Sequence, residues 1–417
     1  MSITKPSLLH EDWVVVLLGL GIIALAVCGI VVPKPTFSWN SNAELLDNVL
    51  SPSNLNRIIL QFGLVLVTAL LGALLTGKTV KHLLIVFPSV YLLTLLALLL
   101  AGNETVKSFH LEAVIFSLLI GLILSNVFQL PAWFRQALST ELYVKIGLVL
   151  LGTTVIFTDI LKAGSIGLIQ SLVVVLSVWY FAFWLCKKMK IDPELTMMIS
   201  SAVSICGVSA AIATSGAIKG DSKKLSYVIS MVLITAIPMM IFMPYLANYF
   251  GLSQEVTGAW LGGSIDTTGA VVASGSLVGE TALKISTIVK FSQNVLLGIA
   301  AFGISIYWSY RKPDDASLTQ EKPTLKIIWD RFPKFVLAFL AASLLFSFVV
   351  SPATVSSVKE SLKSLQACWF ALAFTSIGLE TNFKELFVNN SKRPFYAFLI
   401  AQGFNIIITL LLALLLF

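Results

Sequence analysis

Three stretches of this 417-residue chain interrupt apolar runs with polar and breakable backbone, and chemistry could reside there. The first, residues 200–216, reads SSAVSICGVSAAIATSG, with no aromatic side chain. Small residues of this kind let helix backbones approach closely. The same composition suits a helix interrupted near Cys206 and Gly207. A break frees N–H and C=O groups that lipid cannot satisfy, so they must face protein or a wet cavity. The second half-helix then offers N–H groups and a positive dipole end to an anion. Ser204 and Ser209 are placed to add hydroxyls.

The second stretch, residues 261–275, reads LGGSIDTTGAVVASG. A carboxylate such as Asp266 in mid-span costs about 2.5–3.5 kcal/mol on insertion scales and needs a partner or a proton. Thr267 and Thr268 offer polar ligands, and Gly269 permits a break; a surface loop is the plainer alternative. In the third stretch, ISTIVKFSQNVLL at 285–297, Lys290, Gln293 and Asn294 share one helical face. Lys290 either snorkels to the membrane edge or pairs with Asp266. In the second case the two titrate together, and an anion near Lys290 changes the proton affinity of Asp266.

A weak internal repeat links the first two stretches. Residues 204–215 align without gaps on 264–275, sharing Ser, Ile and two Ala. Gly152 with Asp159 echoes Gly378 with Glu385 at the same spacing. Paired broken segments in two halves point to a transporter site at the repeat interface. Glu380, Lys145 and Asp159 read as structural or topological residues near membrane edges.

Enzyme chemistry fits less well. Gly207-Val-Ser-Ala resembles the nucleophile segment of an intramembrane serine protease, which needs a base. The histidines, His10, His82 and His110, lie outside or at the ends of spans, leaving Lys290 as the one candidate base. Asp266-Thr-Thr-Gly lacks a second aspartate in an aspartyl-protease setting. No HExxH, phosphate-binding GxxxxGK[ST] or metal-ligand cluster occurs, so neither cofactor nor metal is expected.

The elements that position these residues follow from composition. The chain is 57% hydrophobic and 12% charged, with mean hydropathy +0.92; a soluble domain carries roughly 25% charged residues. A soluble, disordered or nucleic-acid-binding chain is excluded, leaving an all-α polytopic membrane protein. The net charge of +7 reads as topology and contact with anionic lipid. The four cysteines show no disulfide or CxxC pattern.

Thirteen apolar runs are candidate spans, with 11–13 transmembrane helices expected. They include 13–32, 194–217, 256–276, 285–308 and 394–417, with 142–157 and 365–379 short. The run at 13–32 reads as a span, not a signal peptide. With thirteen spans, loops on the N-terminal side hold 16 of the 28 Lys/Arg and the opposite loops 10, placing the N-terminus inside and the C-terminus outside. Lys219, Lys223 and Lys224 then fall on the wrong side. The expected organisation is N-terminal helices over 1–110, then a transporter region over 111–417 with halves at about 111–250 and 251–417 and a polar loop at 309–330.

The motifs also resemble a known family. SICGVSA at 204–210, followed by AIK at 217–219, resembles the ICGxSA…PxIK-type signature of the YeiH-like sulfate exporter family. DTTGAVVAS at 266–274 resembles its D-x-x-x-x-VVAA segment, and IVKFSQNVLL at 288–297 its VVK-x-x-R-N-x-LL segment. LLGT at 150–153 and GLETNF at 378–383 also fit, and the likeness runs from about residue 111 to the C-terminus. It implies similarity to transporters of the bile acid, arsenite and riboflavin type: inverted repeats and crossing, discontinuous helices beside a panel domain in a bacterial inner membrane. The implied activity is export or exchange of sulfate or a small organosulfonate. Gln293 stands where the pattern often has Arg, and Val208 where a small or polar residue is common. Without that guanidinium, Lys290 and the half-helix dipoles carry the anion.

The expectation is thus a secondary transporter of a small anion working by alternating access. Ser204, Cys206, Gly207 and Ser209 line one half of its site, and Asp266, Thr267, Thr268, Lys290 and Asn294 the other. Asp266 and Lys290 carry the coupling, with either H+ or Na+ as the coupling ion, and a homodimer is compatible with this reading. A cation/proton antiporter is the second reading and an intramembrane protease the third.

Overall fold

The computed structural model describes residues 9–108, 113–311, 329, 332–381 and 392–417. The polar loop at 309–330 and Glu385 fall wholly or mostly outside these residues, as does the boundary expected at 110–111. The principal helices are α1 (Glu11–Val27), α2 (Pro52–Thr76), α3 (Val80–Gly102), α4 (Ala113–Val127) and α5 (Thr140–Leu151). Then follow α6 (Phe157–Lys188), α7 (Pro193–Ser204), α8 (Val208–Ile218), α9 (Ser222–Tyr249) and α10 (Gln254–Ser264). The rest are α11 (Thr268–Val278), α12 (Glu280–Arg311), α13 (Phe335–Leu344), α14 (Pro352–Glu380) and α15 (Lys392–Leu416). Among the described residues, seven helices are long and apolar enough to cross a membrane, including α2, α3, α14 and α15. The chain is an all-α, multi-pass integral membrane protein.

Local sequence sets several helix starts. Ser51-Pro52, Asp192-Pro193 and Ser351-Pro352 each put a capping oxygen before a proline whose fixed φ suits the first helical position. The capping oxygens accept from the N–H groups of Asn54, Leu195 and Thr354 respectively.

The chain divides into two compact units, residues 1–158 with 334–382 and residues 159–333 with 383–417. These units do not follow the boundaries expected at 110 and 250. In the first unit α14 packs on α3, α4 and α5. Ser125 Oγ donates to the carbonyls of Gly378 and Thr381. Lys145 reaches Glu11 at 3.1 Å and Asp12 at 3.0 Å, and Asp12 also accepts from the Lys334 N–H. Thr140 donates to Glu380. Residues far apart in sequence thus tie α1, α5, α13 and α14 together, so no sequential cut separates them. Lys145 and Glu380 are thus each held by contacts between elements of this unit.

The second unit holds the two broken segments, and both double back. Lys224 lies 2.8 Å from Asp192 and 3.2 Å from Glu194, and the Asp221 N–H donates to Glu194. Burial raises the Asp192 carboxyl, but the bond from Lys224 outweighs it and holds the carboxyl below its usual range. The start of α7 and the end of α8 are therefore neighbours. Had the 12 and 11 residues of these helices run on in line, their far ends would be about 35 Å apart. The second pair closes likewise: the Ala282 N–H donates to Gln254 Oε1 at 3.4 Å, bringing the start of α10 beside the turn after α11. Helix α9, 28 residues long, leaves the mouth of the first hairpin and ends at the mouth of the second. At about 1.5 Å per residue it spans the membrane, so the hairpins enter from opposite faces.

The segments at 194–217 and 256–276 are therefore discontinuous, as expected, but re-enter rather than cross. An apolar run of this length fits either geometry; the ties at each mouth decide it. Re-entry also removes the charge anomaly. Lys219, Lys223 and Lys224 return to the face that carries Lys187, Lys188 and Lys190.

Candidate functional site

The repeat alignment holds residue by residue at the two hairpin tips. Ser204 and Ser264 end the first half-helices, and Ile205 and Ile265 are their C-caps. Gly207 and Thr267 are the N-caps of the second half-helices, leaving Cys206 and Asp266 at equivalent places. The tips touch: a Cβ on Gly207 would lie 2.9 Å from Asp266 Cβ and 2.7 Å from a Val232 methyl. Gly207 has φ +58° and ψ −107°, backbone that an L side chain rarely adopts. Helix α10 reaches this position by lying close on α12, where Cβ atoms on Gly258 and Gly262 would meet the carbonyls of Ala282 and Ser286.

The carbonyls freed at the tips are satisfied by side chains of α12 and α15. Lys290 Nζ donates to Ile205 O at 2.8 Å, Ile265 O at 2.9 Å and Gln293 Oε1 at 2.8 Å. Gln293 Nε2 donates to Ser204 O and Gly263 O at 2.9 and 3.3 Å. Asn405 Nδ2 reaches Val203 O and Ser264 O, and Gln402 Nε2 also reaches Ser264 O. Each buried C-terminal end thus has the partners that a low-dielectric interior demands.

The N-terminal ends differ. In α8 the first backbone donor with an intrahelical acceptor is Ala211, bonded to Gly207 O. In α11 it is Val271, bonded to Thr267 O, and Thr267 Oγ1 caps Ala270. Among the described residues, no acceptor faces the N–H groups of Val208, Ser209, Thr268 and Gly269. Ser209 is exposed and Thr267, Thr268 and Gly269 are half-buried, so this side of the tips opens outward.

The predicted site residues fall into two groups. Ser209, Thr267, Thr268, Gly207, Cys206, Asp266 and Asn294 gather at or beside the tips, with Asn294 Nδ2 3.4 Å from Thr268 Oγ1. Ser204 turns its hydroxyl back onto Ser200 O, and Lys290 has committed its three hydrogens, so neither has a donor left for a ligand. Lys290 is 1% exposed and acts on the site through its charge. Among the described residues Asp266 and Lys290 make no direct salt bridge, because the ammonium is drawn to the tip carbonyls, but the two charges are near enough to act on each other. Asp266 Oδ2 and Asn294 Oδ1 are buried acceptors without a hydrogen-bond partner among the described residues.

Sequence reasoning missed Gln402 and Asn405, which sit in an apolar terminal run. Their signal is the spacing of Gln402, Asn405 and Thr409, one buried face of α15. Gln293 was legible as a polar neighbour of Lys290 on one helical face and as a missing arginine, but not as a cap of the tip carbonyls.

Residues 85–397 match the family described as "Conserved hypothetical protein 698". The chain belongs to that family. It is 40% identical over 353 residues to a UPF0324 membrane protein of Rhodopirellula baltica, covering 82% of this chain and 64% of the relative. A UPF0324 membrane protein of Nitratidesulfovibrio vulgaris is 37% identical over 359 residues, covering 83% and 61%. One from Nitrosomonas europaea is 31% identical over 307 residues, covering 65% and 62%. The chain spans less than two thirds of the length of these relatives. No solved structure matches it. The family match takes in both hairpins, α12 and the start of α15.

Proposed function

We propose that the protein is a secondary transporter that exports or exchanges a small anion by alternating access, in a bacterial inner membrane. The observation that carries the reading is the asymmetry of the tips: their carbonyl ends are capped from within, and their N-terminal N–H groups are left for a ligand. A helix N-terminus carries roughly half a positive charge, and two meet here beside the Lys290 ammonium. Val208, Ser209, Thr268 and Gly269 N–H bind the anion, with the Ser209 and Thr268 hydroxyls adding donors. Sulfate or a small organosulfonate is the substrate class, following the resemblance of the three motifs.

Asp266 gives this site a proton requirement. Its carboxylate repels an anion at the adjacent helix ends, whereas a protonated carboxyl can donate to it. Anion and proton therefore load together. The reading involves no catalysed reaction. Ser209 lacks a base, since Lys290 holds its hydrogens on three acceptors.

The test is a melting experiment on the purified protein, since a ligand of the folded state raises its midpoint. Sulfate or methanesulfonate should raise the midpoint saturably and exchange across proteoliposomes; no response to either removes the anion reading. A cation/proton antiporter is favoured by one observation, the unpartnered oxygens of Asp266 and Asn294. It predicts stabilisation through Asp266 by Na+ in place of the anions.

A further inference from the structure

Unwound carbonyls and half-helix C-termini at mid-membrane are common ligands for a free monovalent cation, because they gather partial negative charge where water is excluded. Here the C-cap carbonyls of both hairpins, Ile205 O and Ile265 O, converge on one point. That point is occupied by Lys290 Nζ at 2.8 and 2.9 Å. The ammonium has a third acceptor in Gln293 Oε1 at 2.8 Å, and Gln293 is itself held by Ser204 O and Gly263 O. Three donors meet three acceptors at a position sealed from solvent. The Lys290 stem rises from α12, which packs on α8, α10 and α11 and so touches both hairpins.

We propose that Lys290 is a tethered cation, a positioning residue whose ammonium takes the place of a free Na+ or K+ at the meeting of the tips. It neutralises two converging helix C-termini and fixes the spacing of the hairpins. Assembly of the site therefore needs no monovalent cation from solution. Removing the ammonium leaves two carbonyls and an amide oxygen in a cavity of about one side-chain end, ligands that suit a small cation. The inference concerns the carbonyl side of the tips and does not depend on what the N–H side carries.

The experiment measures melting of the full-length protein in choline, Na+, K+ and ethylammonium chlorides at equal ionic strength. Wild type, K290A and D266N are compared. K290A is expected to melt several degrees lower in choline and to recover saturably with Na+ or ethylammonium, by more than any response of wild type. A merely space-filling role for Lys290 would give no cation selectivity. A K290A response no larger than that of wild type overturns the proposal. D266N retains the ammonium and lacks the carboxylate that, among the described residues, acts on it. It should melt alike in choline, Na+ and K+; a saturable gain in either salt puts a free cation on the carbonyls and overturns the proposal even if K290A does not fold.

Discussion

Gly207 lies against Asp266, backbone of one hairpin on side chain of the other, with no room for a methyl group between them. G207A must place a Cβ at φ +58° and ψ −107°, sparsely populated backbone that costs about 1–3 kcal/mol, and push against Asp266 and Val232 as well. The expected result is a lowered melting midpoint and loss of anion exchange. A G207A protein with wild-type midpoint and exchange would show that the tips do not touch as described.

D266N tests the proposed proton requirement. The substitution keeps the shape of the side chain and removes its titration. Exchange by wild type should fall as pH rises and Asp266 loses its proton; the variant should lose that dependence while still responding to sulfate in melting. An unchanged pH profile takes Asp266 out of the coupling.

Re-entry predicts sidedness. Single cysteines at Lys188 and Lys223 should react with a membrane-impermeant maleimide from the same face, in a background freed of the native cysteines. A cysteine at Ser253, before the second hairpin, should react from the other face. Both lysines and Ser253 are exposed. Labelling of Lys188 and Lys223 from opposite faces would mean that the 194–217 segment crosses the membrane, and the paired tips would have no basis.

The tips were legible in the sequence because breaks in a membrane helix draw on few residue types. Ser-Ile repeated after a sixty-residue shift marks both half-helix ends, and Asp266 announces a buried charge. Direction was not legible, since about twenty apolar residues serve equally for a crossing or a hairpin. The three misplaced lysines held that information, but only as an anomaly in a charge count. The partner of Lys290 was also beyond reach. A nearby carboxylate is the obvious sequence choice, whereas the carbonyls that won exist only once both helices have broken. The unit that joins α1, α13 and α14 escapes any sequential reading, because the contacts that hold it together, such as Asp12 with Lys334, span most of the chain.

The caps from α15 allow a sharper test. Asn405 and Gln402 share Ser264 O, while Asn405 alone reaches Val203 O. Leaving one buried carbonyl unsatisfied costs about 1–3 kcal/mol. Q402L removes one of two donors to Ser264 O, so its effect should be small. N405L strips Val203 O and should lower the midpoint further. The double variant leaves both carbonyls bare and should lose more than the two single losses together, the signature of a shared acceptor. The measurement is the melting midpoint of the four proteins in one detergent. Strict additivity would mean that the two amides do not serve a common carbonyl, and that α15 holds the tip through packing alone.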